Sequence, residues 1–365
     1  MKYEALTEFC DLNMGQSPDS KTYNEQGDGM PFYQGNADFG EIHPETRVWC
    51  SKPVKVASEG DILISVRAPI GAMNIATETC CIGRGLAALT PKPNKCSQKY
   101  LYYALESKID VLVSKGTGST FKAISKKVLA ETMIPSYTDE KQQQITDALS
   151  KIDVLITDRK QQLIEMDLLV KSRFIELFGT SHDNKKGFAV VTIEEVCSLI
   201  KDGTHQTPQY TENKEEGYKF LSSKDVMSQK IDWTEIKYIP AELHEKLYAS
   251  VKPQRNDILM SKNGVNYGVA AVNDTDEVFD IYVSLALLRP KQMIDPVFFR
   301  CVINNPETKR QFDSSIKGIG VPNLHLGEIK KTKIILPPME LQKEFVSFVA
   351  QVDKSKHFSE LGVAA

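Results

Sequence analysis

Lys115, Lys122, Lys126 and Lys127 crowd one short stretch of the chain, and Lys309, Arg310, Lys317, Lys330, Lys331 and Lys333 crowd another, with Lys317 standing 202 positions after Lys115. Ammonium and guanidinium groups spaced in this way make or break no bonds by themselves. They grip anions, and a basic patch in the same place twice points to two equivalent anionic surfaces. The bland reading of each single lysine is a solvated helix face or strand end. Groups suited to catalysis are scarcer. His205 has the chemistry of a general base, but no carboxylate pattern accompanies it in sequence, so it reads as a loop residue. The seven cysteines include no CxxC pair, and Cys80 and Cys81 sit together in an apolar stretch, so they read as small buried hydrophobes. No metal site is expected.

Such patches need a scaffold, and the scaffold is duplicated. "MIPSYTDEKQQQITDALSKID" at 133–153 has a poorer copy, "ILPPMELQKEFVSFVAQVD", at 335–353. Each copy reads as a strand end feeding a helix. Ile145, Leu149, Ile152 and Ile156 follow helical steps, and Leu163, Met166, Val170 and Leu177 roughly continue the phase, which predicts one long helix over about 139–178 with an apolar seam. Ser136 with Asp139 has the form of a capping box, Asp139 and Glu140 suit the positive end of the dipole, and Gly179 gives the stop. In the second copy Phe345, Val349 and Val352 lie 200 positions after Ile145, Leu149 and Ile152.

Three further matches keep the same order. "EGDILISVRAPIG" resembles "RNDILMSKNGVNYG", setting Asp61 against Asp257 at an offset of 196, and "GLAALTPK" resembles "VSLALLRPK", setting Pro91 against Pro290 at 199. "SKGTGSTFKAISKKVL" resembles "IKGIGVPNLHLGEIKK", setting Gly116 against Gly318 at 202, while "FCDLNMGQSP" loosely resembles "VCSLIKDGTHQTP". The chain therefore reads as two homologous halves, each a globular unit of roughly 140 to 160 residues followed by a helix, a sensible size for one domain with its own core.

Composition sets outer bounds. With 41% hydrophobic and 25% charged residues the chain is typical of a globular protein, and no apolar run reaches the roughly 18 residues of a membrane span. The first residues lack the apolar core of a secretory signal, which together with the cysteine usage predicts a reducing, cytoplasmic setting. A net charge of −3 shows none of the overall basicity common in nucleic-acid binders, yet the distribution is uneven. Residues 1–50 hold three Lys or Arg against nine Asp or Glu, whereas residues 51–136 hold twelve against six. Short apolar runs such as "DILISV", "GLAAL", "DILMS" and "SLALL", bounded by Gly, Pro and Asp, read as strands of a small sheet. "QKYLYYALESKIDVLVSKG", with Tyr102, Leu105, Ile109 and Leu112 on one face, and "DPVFFRCVINNPETKRQF" read as helices. The halves are thus α+β and β-rich, with many loops on which recognition chemistry would sit.

Two divergent units, each followed by a helix entered through a "P-x-x-E-Q"-like turn, with "GQSP" near the start, "GDIL" in mid-domain and "GSTFKAI" before the exit, resemble the specificity subunit of a type I restriction-modification system. The resemblance covers nearly the whole chain. It implies two pseudo-twofold-related target recognition domains, over 1–137 and 181–338, separated by two long antiparallel coiled-coil helices, over 138–180 and 339–365. Each domain would read one half of a bipartite double-stranded DNA site, and helix length would fix the unread gap. It also implies two modification (methyltransferase) subunits docking equivalently and restriction (motor) subunits joining the complex. S-adenosylmethionine, ATP and Mg2+ would bind those partners, and none of them this chain. The helix physics agrees, since about 35 to 40 residues at 1.5 Å each hold two readers more than one duplex turn apart.

Under that resemblance, side chains able to pair with base edges or hold phosphates become the candidates for DNA contact. In the first domain they are Gln16, Ser17, Tyr33, Gln34, Asn36, Arg67, Arg84, Lys115, Ser119, Thr120 and Lys122. In the second they are Thr204, His205, Gln206, Ser223, Lys224, Lys262, Asn263, Asn266, Tyr267, Lys317 and Asn323. Each has a plain alternative in satisfying a turn or a buried backbone group. Catalysis by the chain itself finds little support: "NNPE" at 304–307 lacks the second proline and the aromatic of an "NPPY" methyltransferase motif, no Walker A pattern occurs, and the "EIK" triplets at 235–237 and 328–330 are too short to argue for an endonuclease. The other alternative is a coiled-coil adaptor, or an inactive truncated specificity subunit, without DNA specificity of its own.

One departure from the family pattern concerns the distal helix. It is expected to start near Glu340 and to be shortened, with Lys356 in the place of Ile156, so that the apolar seam fails after about two turns. An unpaired apolar strip around Leu163, Met166 and Val170, open to self-association, is the expected consequence.

Overall fold

The computed structural model describes residues 2–118, 122–179, 184–316 and 322–364. The chain forms two compact units, Met1–Thr157 and Asp158–Ala365. Ser119, Thr120 and Lys317 lie outside the described residues.

In the first unit an antiparallel sheet runs in the order Cys10–Met14, Leu86–Pro91, Ile62–Ser65, Met73–Ile75. Its two central strands, Ile62–Ser65 and Leu86–Pro91, are buried without alternation over 62–65 and 86–89 because both faces are covered. Ile62, Ile64, Ala87 and Leu89 face Tyr100, Leu101 and Leu105 of the helix Gln98–Glu106. Leu63, Leu86 and Ala88 face the opposite way, onto Tyr33, Cys80 and Ile82 of a second, smaller sheet. In that sheet Met30–Tyr33 pairs in parallel with Cys80–Ile82. Cys80 and Cys81 are fully buried there, and burial pushes their thiols up to about 12 and about 11. A ribbon of Lys2–Ala5 with Met133–Ser136 closes the unit.

The second unit repeats the plan. Its main sheet runs Cys197–Asp202, Leu285–Pro290, Ile258–Ser261, Ala270–Val272. Ile258, Met260, Ala286 and Leu288 pack towards Phe298 and Phe299, whereas Leu259, Leu285 and Leu287 pack towards Leu221, Phe279 and Ile281. Tyr218–Leu221 lies parallel to Phe279–Ile281, as its counterpart does in the first unit. Ala189–Thr192 and Lys333–Leu336 form the closing ribbon. The helix Ala241–Tyr248, packed on Phe279–Ile281, follows a strand of the smaller sheet and has no equivalent among the described residues of the first unit.

The long helix spans Asp139–Phe178, about 60 Å at 1.5 Å per residue. Its N-cap is Thr138, whose carbonyl accepts from Gln142 N, and not the expected Ser136, whose hydroxyl donates to Glu4 from within the ribbon. The reason is positional: an N-cap must directly precede the first helical residue, and Ser136 is still in the strand. Both strand-to-helix junctions carry a buried glutamine. Gln142 Nε2 donates to Lys95 O at 2.9 Å and Tyr137 O at 3.0 Å, while Gln342 Nε2 donates to Met293 O at 3.2 Å and Pro337 O at 2.8 Å.

Within the second unit, the end of the long helix runs antiparallel to the distal helix, Met339–Ala364. Phe174 and Phe178 meet Phe345 at ring-centroid distances of 5.5 and 5.6 Å, and Arg173 pairs with Glu344 at 2.8 Å. Val349 and Val352 are buried alongside. The expected failure of the seam at Lys356 is not what the side chains do. Lys356 packs its stem inward and pairs with Asp167, and Ser359 beyond it is buried, so polar residues extend the contact. The expected apolar strip also shifts. Leu163, Met166 and Val170 are half-buried, as are Ile145, Leu149 and Ile156, whereas Ile152 is exposed. Exposed apolar side chains lie elsewhere on the helix: Ile164, Leu168 and Ile175 form a stripe roughly 100 to 140° further round from Leu163, and Val154, Leu155 and Leu169 are exposed as well.

Candidate nucleic-acid interface

At one end of each main sheet the loops are tied together by backbone hydrogen bonds, and the ties are the same in both units. Gly15 N donates to Leu86 O at 2.9 Å and Gly203 N to Leu285 O at 3.3 Å; Gln16 N donates to Ile82 O at 3.0 Å and Thr204 N to Ile281 O at 3.1 Å. Gly83 N reaches Tyr33 O and Tyr282 N reaches Leu221 O, both at 2.8 Å. Val66 N donates to Gly85 O and Lys262 N to Ser284 O, both at 2.9 Å. Ile124 N returns to Val66 O at 2.9 Å, and Leu324 N to Lys262 O at 2.7 Å. Ala68 N donates to Lys122 O and Gly264 N to Pro322 O, both at 3.0 Å. A carboxylate fixes the remaining loop in each: Asp38 Oδ2 accepts from Gln34 N, and Asp225 Oδ2 from Ser222 N, both at 2.7 Å.

The frame explains the glycines of "GQSP" and "DGTH". A Cβ on Gly15 would collide with Gly83 O, and one on Gly203 with Ile281 O, so only glycine allows the crossing. It also explains the repeated aspartates. Asp61 Oδ2 caps a turn through Ser58 N, and Asp257 does the same for Gln254 N while holding Arg289 through two bonds of 2.8 Å. Both are buried and have no part in a surface site.

This frame gathers most of the candidates chosen from sequence. In the first unit Gln16, Ser17, Gln34, Asn36, Arg67, Arg84 and Lys122 stand on the connected loops, with Lys115 on the segment beside Lys122 through the bridge of Thr117 to Ala123. Gln16, Gln34, Arg67, Arg84, Lys115 and Lys122 are exposed, and none of these four cationic residues has a carboxylate partner among the described residues. Ser17 Oγ accepts from Arg84 N at 3.3 Å. In the second unit Thr204, His205, Gln206, Ser223, Lys224, Asn263, Asn266 and Asn323 occupy the equivalent loops, with Asn263 bridged to Asn323 as Arg67 is to Ala123.

Three candidates are placed otherwise. Tyr33 is buried, and its hydroxyl bonds to Thr46 at 2.7 Å, because its strand faces the core between the sheets. Tyr267 is also buried; its hydroxyl donates to Asp313 at 2.5 Å and Lys309 lies over its ring, which takes Lys309 out of the basic cluster. Lys262 is buried with its ammonium 2.7 Å from Asp202 Oδ2. Lys224 is exposed but already paired with Asp225 at 2.6 Å. Charge on the second unit's basic cluster is further offset by Glu194 at Lys330 and Glu328 at Lys331.

Asp202 is the residue the sequence reading missed. Its Oδ2 also lies 3.4 Å from His205 Nε2, so His205 does have a carboxylate neighbour, three positions back. Burial works against the charge on Asp202, but the hydrogen bond and charge of Lys262, aided by His205, more than offset it and hold the carboxyl below its usual value. The signal was in the letters "KDGTH", where an acidic side chain precedes the glycine that turns the chain back over it.

Comparison with known proteins places this geometry in a family. The model for the type I restriction modification DNA specificity domain matches residues 1–166 and 185–360. A Methanocaldococcus jannaschii protein, provisionally named as the type I restriction enzyme MjaX specificity subunit, is 45% identical over 42% of this chain, a match spanning 36% of that protein. The type I restriction enzyme MjaIX specificity subunit of the same organism is 25% identical over 92% of this chain and 82% of its own length. The type I restriction-modification S subunit of M. genitalium has a similar fold, with a TM-score of 0.54 over 100% of this chain and 92% of that one at 16% identity. With two copies of the matching domain, each built on the same loop frame, the chain belongs to the type I restriction-modification specificity family.

Proposed function

We propose that each loop cluster reads one half of a bipartite double-stranded DNA site and that the chain thereby directs partner subunits to it. The observation that carries this reading is the pair of equivalent loop frames: the backbone bonds repeat, while the side chains they present differ, Gln16, Gln34, Arg67 and Arg84 in one and Thr204, His205, Asn263 and Asn323 in the other. A shared frame with different donors and acceptors is what two different base sequences require. The cations Arg67, Arg84, Lys115 and Lys122, without a carboxylate partner among the described residues, supply the phosphate-binding charge of the first cluster.

In this reading the chain makes no bonds itself. Two modification subunits methylate the site using S-adenosylmethionine, and restriction subunits cut using ATP and Mg2+. The target recognition domains are 1–137 and 181–338, and the helices between and after them dock the partners, all in the cytoplasm with the DNA. Single-molecule sequencing of DNA from cells expressing the chain with its modification subunit, against cells lacking the chain, tests the reading. The expected result is a two-part methylated motif that vanishes without the chain. Identical methylation in both would refute it.

A further inference from the structure

Setting one loop frame on the other exposes a single charged substitution beneath the reading surface. Lys262 stands where the first unit has Val66, since each donates its N–H to the same turn and accepts from the same return segment. Asp202 stands where the first unit has Met14, because Met14 lies opposite Ala87 and Asp202 opposite Ala286 in equivalent strand pairs. Val66 is buried in the first unit's hydrophobic core, and Met14 is half-buried against it. The second unit has replaced these two apolar side chains with an ion pair of 2.7 Å, its lysine buried at 5% exposed and its aspartate half-buried at 23%.

A pair whose lysine is buried is seldom the most stable choice at such a place, since two apolar residues of similar size do as well or better. What it supplies here is an oriented carboxylate. Lys262 keeps Asp202 charged, and Oδ2 of Asp202 faces His205 Nε2 at 3.4 Å. Thr204 Oγ1 accepts from Gln206 N at 3.2 Å and fixes the loop on either side of the imidazole. The His205 side chain is 76% exposed. The contact is one of charge and not a hydrogen bond: the carboxylate attracts the Nε2 edge of the ring and leaves the Nδ1 edge to an incoming ligand. His205 borders a hollow of about 350 Å³ whose other charged walls are Lys201, Asp202 and Asp280. At the place of His205 the first unit has Ser17, with no acid or base beneath it.

We propose that His205 is a base-reading residue for the second half-site and that Asp202 and Lys262 are positioning residues which orient its imidazole. The proposal rests on the DNA-reading function above, and deepens it by naming which side chain of the second cluster carries sequence information. His205 contacts a base edge; Asp202 and Lys262 touch no DNA.

The experiment is methylation mapping in cells expressing the full chain with its modification subunit, comparing wild type, His205→Ala, and the double variant Asp202→Met with Lys262→Val, which installs the first unit's apolar pair. His205 is a surface residue, so its variant folds. The double variant is checked by thermal unfolding, and Asp202→Asn replaces it if it does not fold. The expected result is about ten-fold weaker discrimination at the same one or two base pairs in both variants, confined to one half of the motif. An unchanged motif in His205→Ala overturns the proposal, as does uniformly reduced methylation at an unchanged motif, which marks a phosphate contact. A relaxed motif in His205→Ala with a wild-type motif in the pair variant overturns the positioning role. Absence of any motif from wild-type chain instead strikes the DNA-reading function itself.

Discussion

At the scale of single residues, charge and burial decide which polar side chains face outward. Asp202 shows how the pH dependence follows. Its carboxyl is held below the usual 3.8 in the folded chain, so its charge adds stability above that pH, and the contribution is lost as pH falls through the lowered value. Urea unfolding of wild type and Asp202→Asn from pH 7 downward therefore shows a gap that narrows from about pH 5 and closes as the pH falls through the lowered value. A gap that widens on acidification would contradict the assignment. The exposed candidates Gln16, Arg67, Arg84, His205 and Asn323 were legible because their types fit loops rich in Gly and Pro. Tyr33, Lys262 and Tyr267 were not, since nothing local in the letters shows that a tyrosine will fill the gap between two sheets, or that a lysine will find an acid 60 positions away.

At the scale of elements, the duplicated strand-to-helix junction was plain in sequence, but the part of it that matters mechanically was not. Gln142 and Gln342 look like ordinary helix residues after a proline turn; the fold buries both and spends their amides on loop carbonyls. In the second unit Gln342 also accepts from Asp295 N at 2.8 Å, locking the start of the helix Pro296–Ile303. Gln342→Leu leaves these backbone groups unsatisfied and lowers the stability of the second unit by about 2 to 4 kcal/mol. Trp233 reports on that unit once Trp49 is replaced by phenylalanine, so fluorescence-detected denaturation isolates the effect. An unchanged midpoint would show that water satisfies the groups. The seam of the long helix was legible from its period, Ile152 apart, but its covering was not: nothing in the spacing shows that Lys356 and Ser359 continue the contact beyond Val352, so that Leu163, Met166 and Val170 are half-buried.

At the scale of the whole molecule, the repeat was readable because both halves keep their main-sheet strands and closing ribbons at nearly constant offsets. The smaller sheet escaped notice because its paired strands recur in both units without shared letters, and the helix Ala241–Tyr248 because it has no counterpart among the described residues of the first unit. Exchange of residues 1–137 for the corresponding domain of another family member is expected to change one half of the methylated motif and leave the other untouched. Changes in both halves would mean that the units do not read independently. The two crossing glycines, Gly15 and Gly203, carry a last consequence, for inheritance. Each is held by collision with a backbone carbonyl, so no substitution can drift in at either site, while the neighbouring Gln16 and Thr204 are tied across the frame through their main-chain N–H groups. Selection thus acts on the two kinds of position separately: the glycines are frozen, and the letters beside them are free to wander, so a lineage can acquire a new target without first having to survive a broken fold.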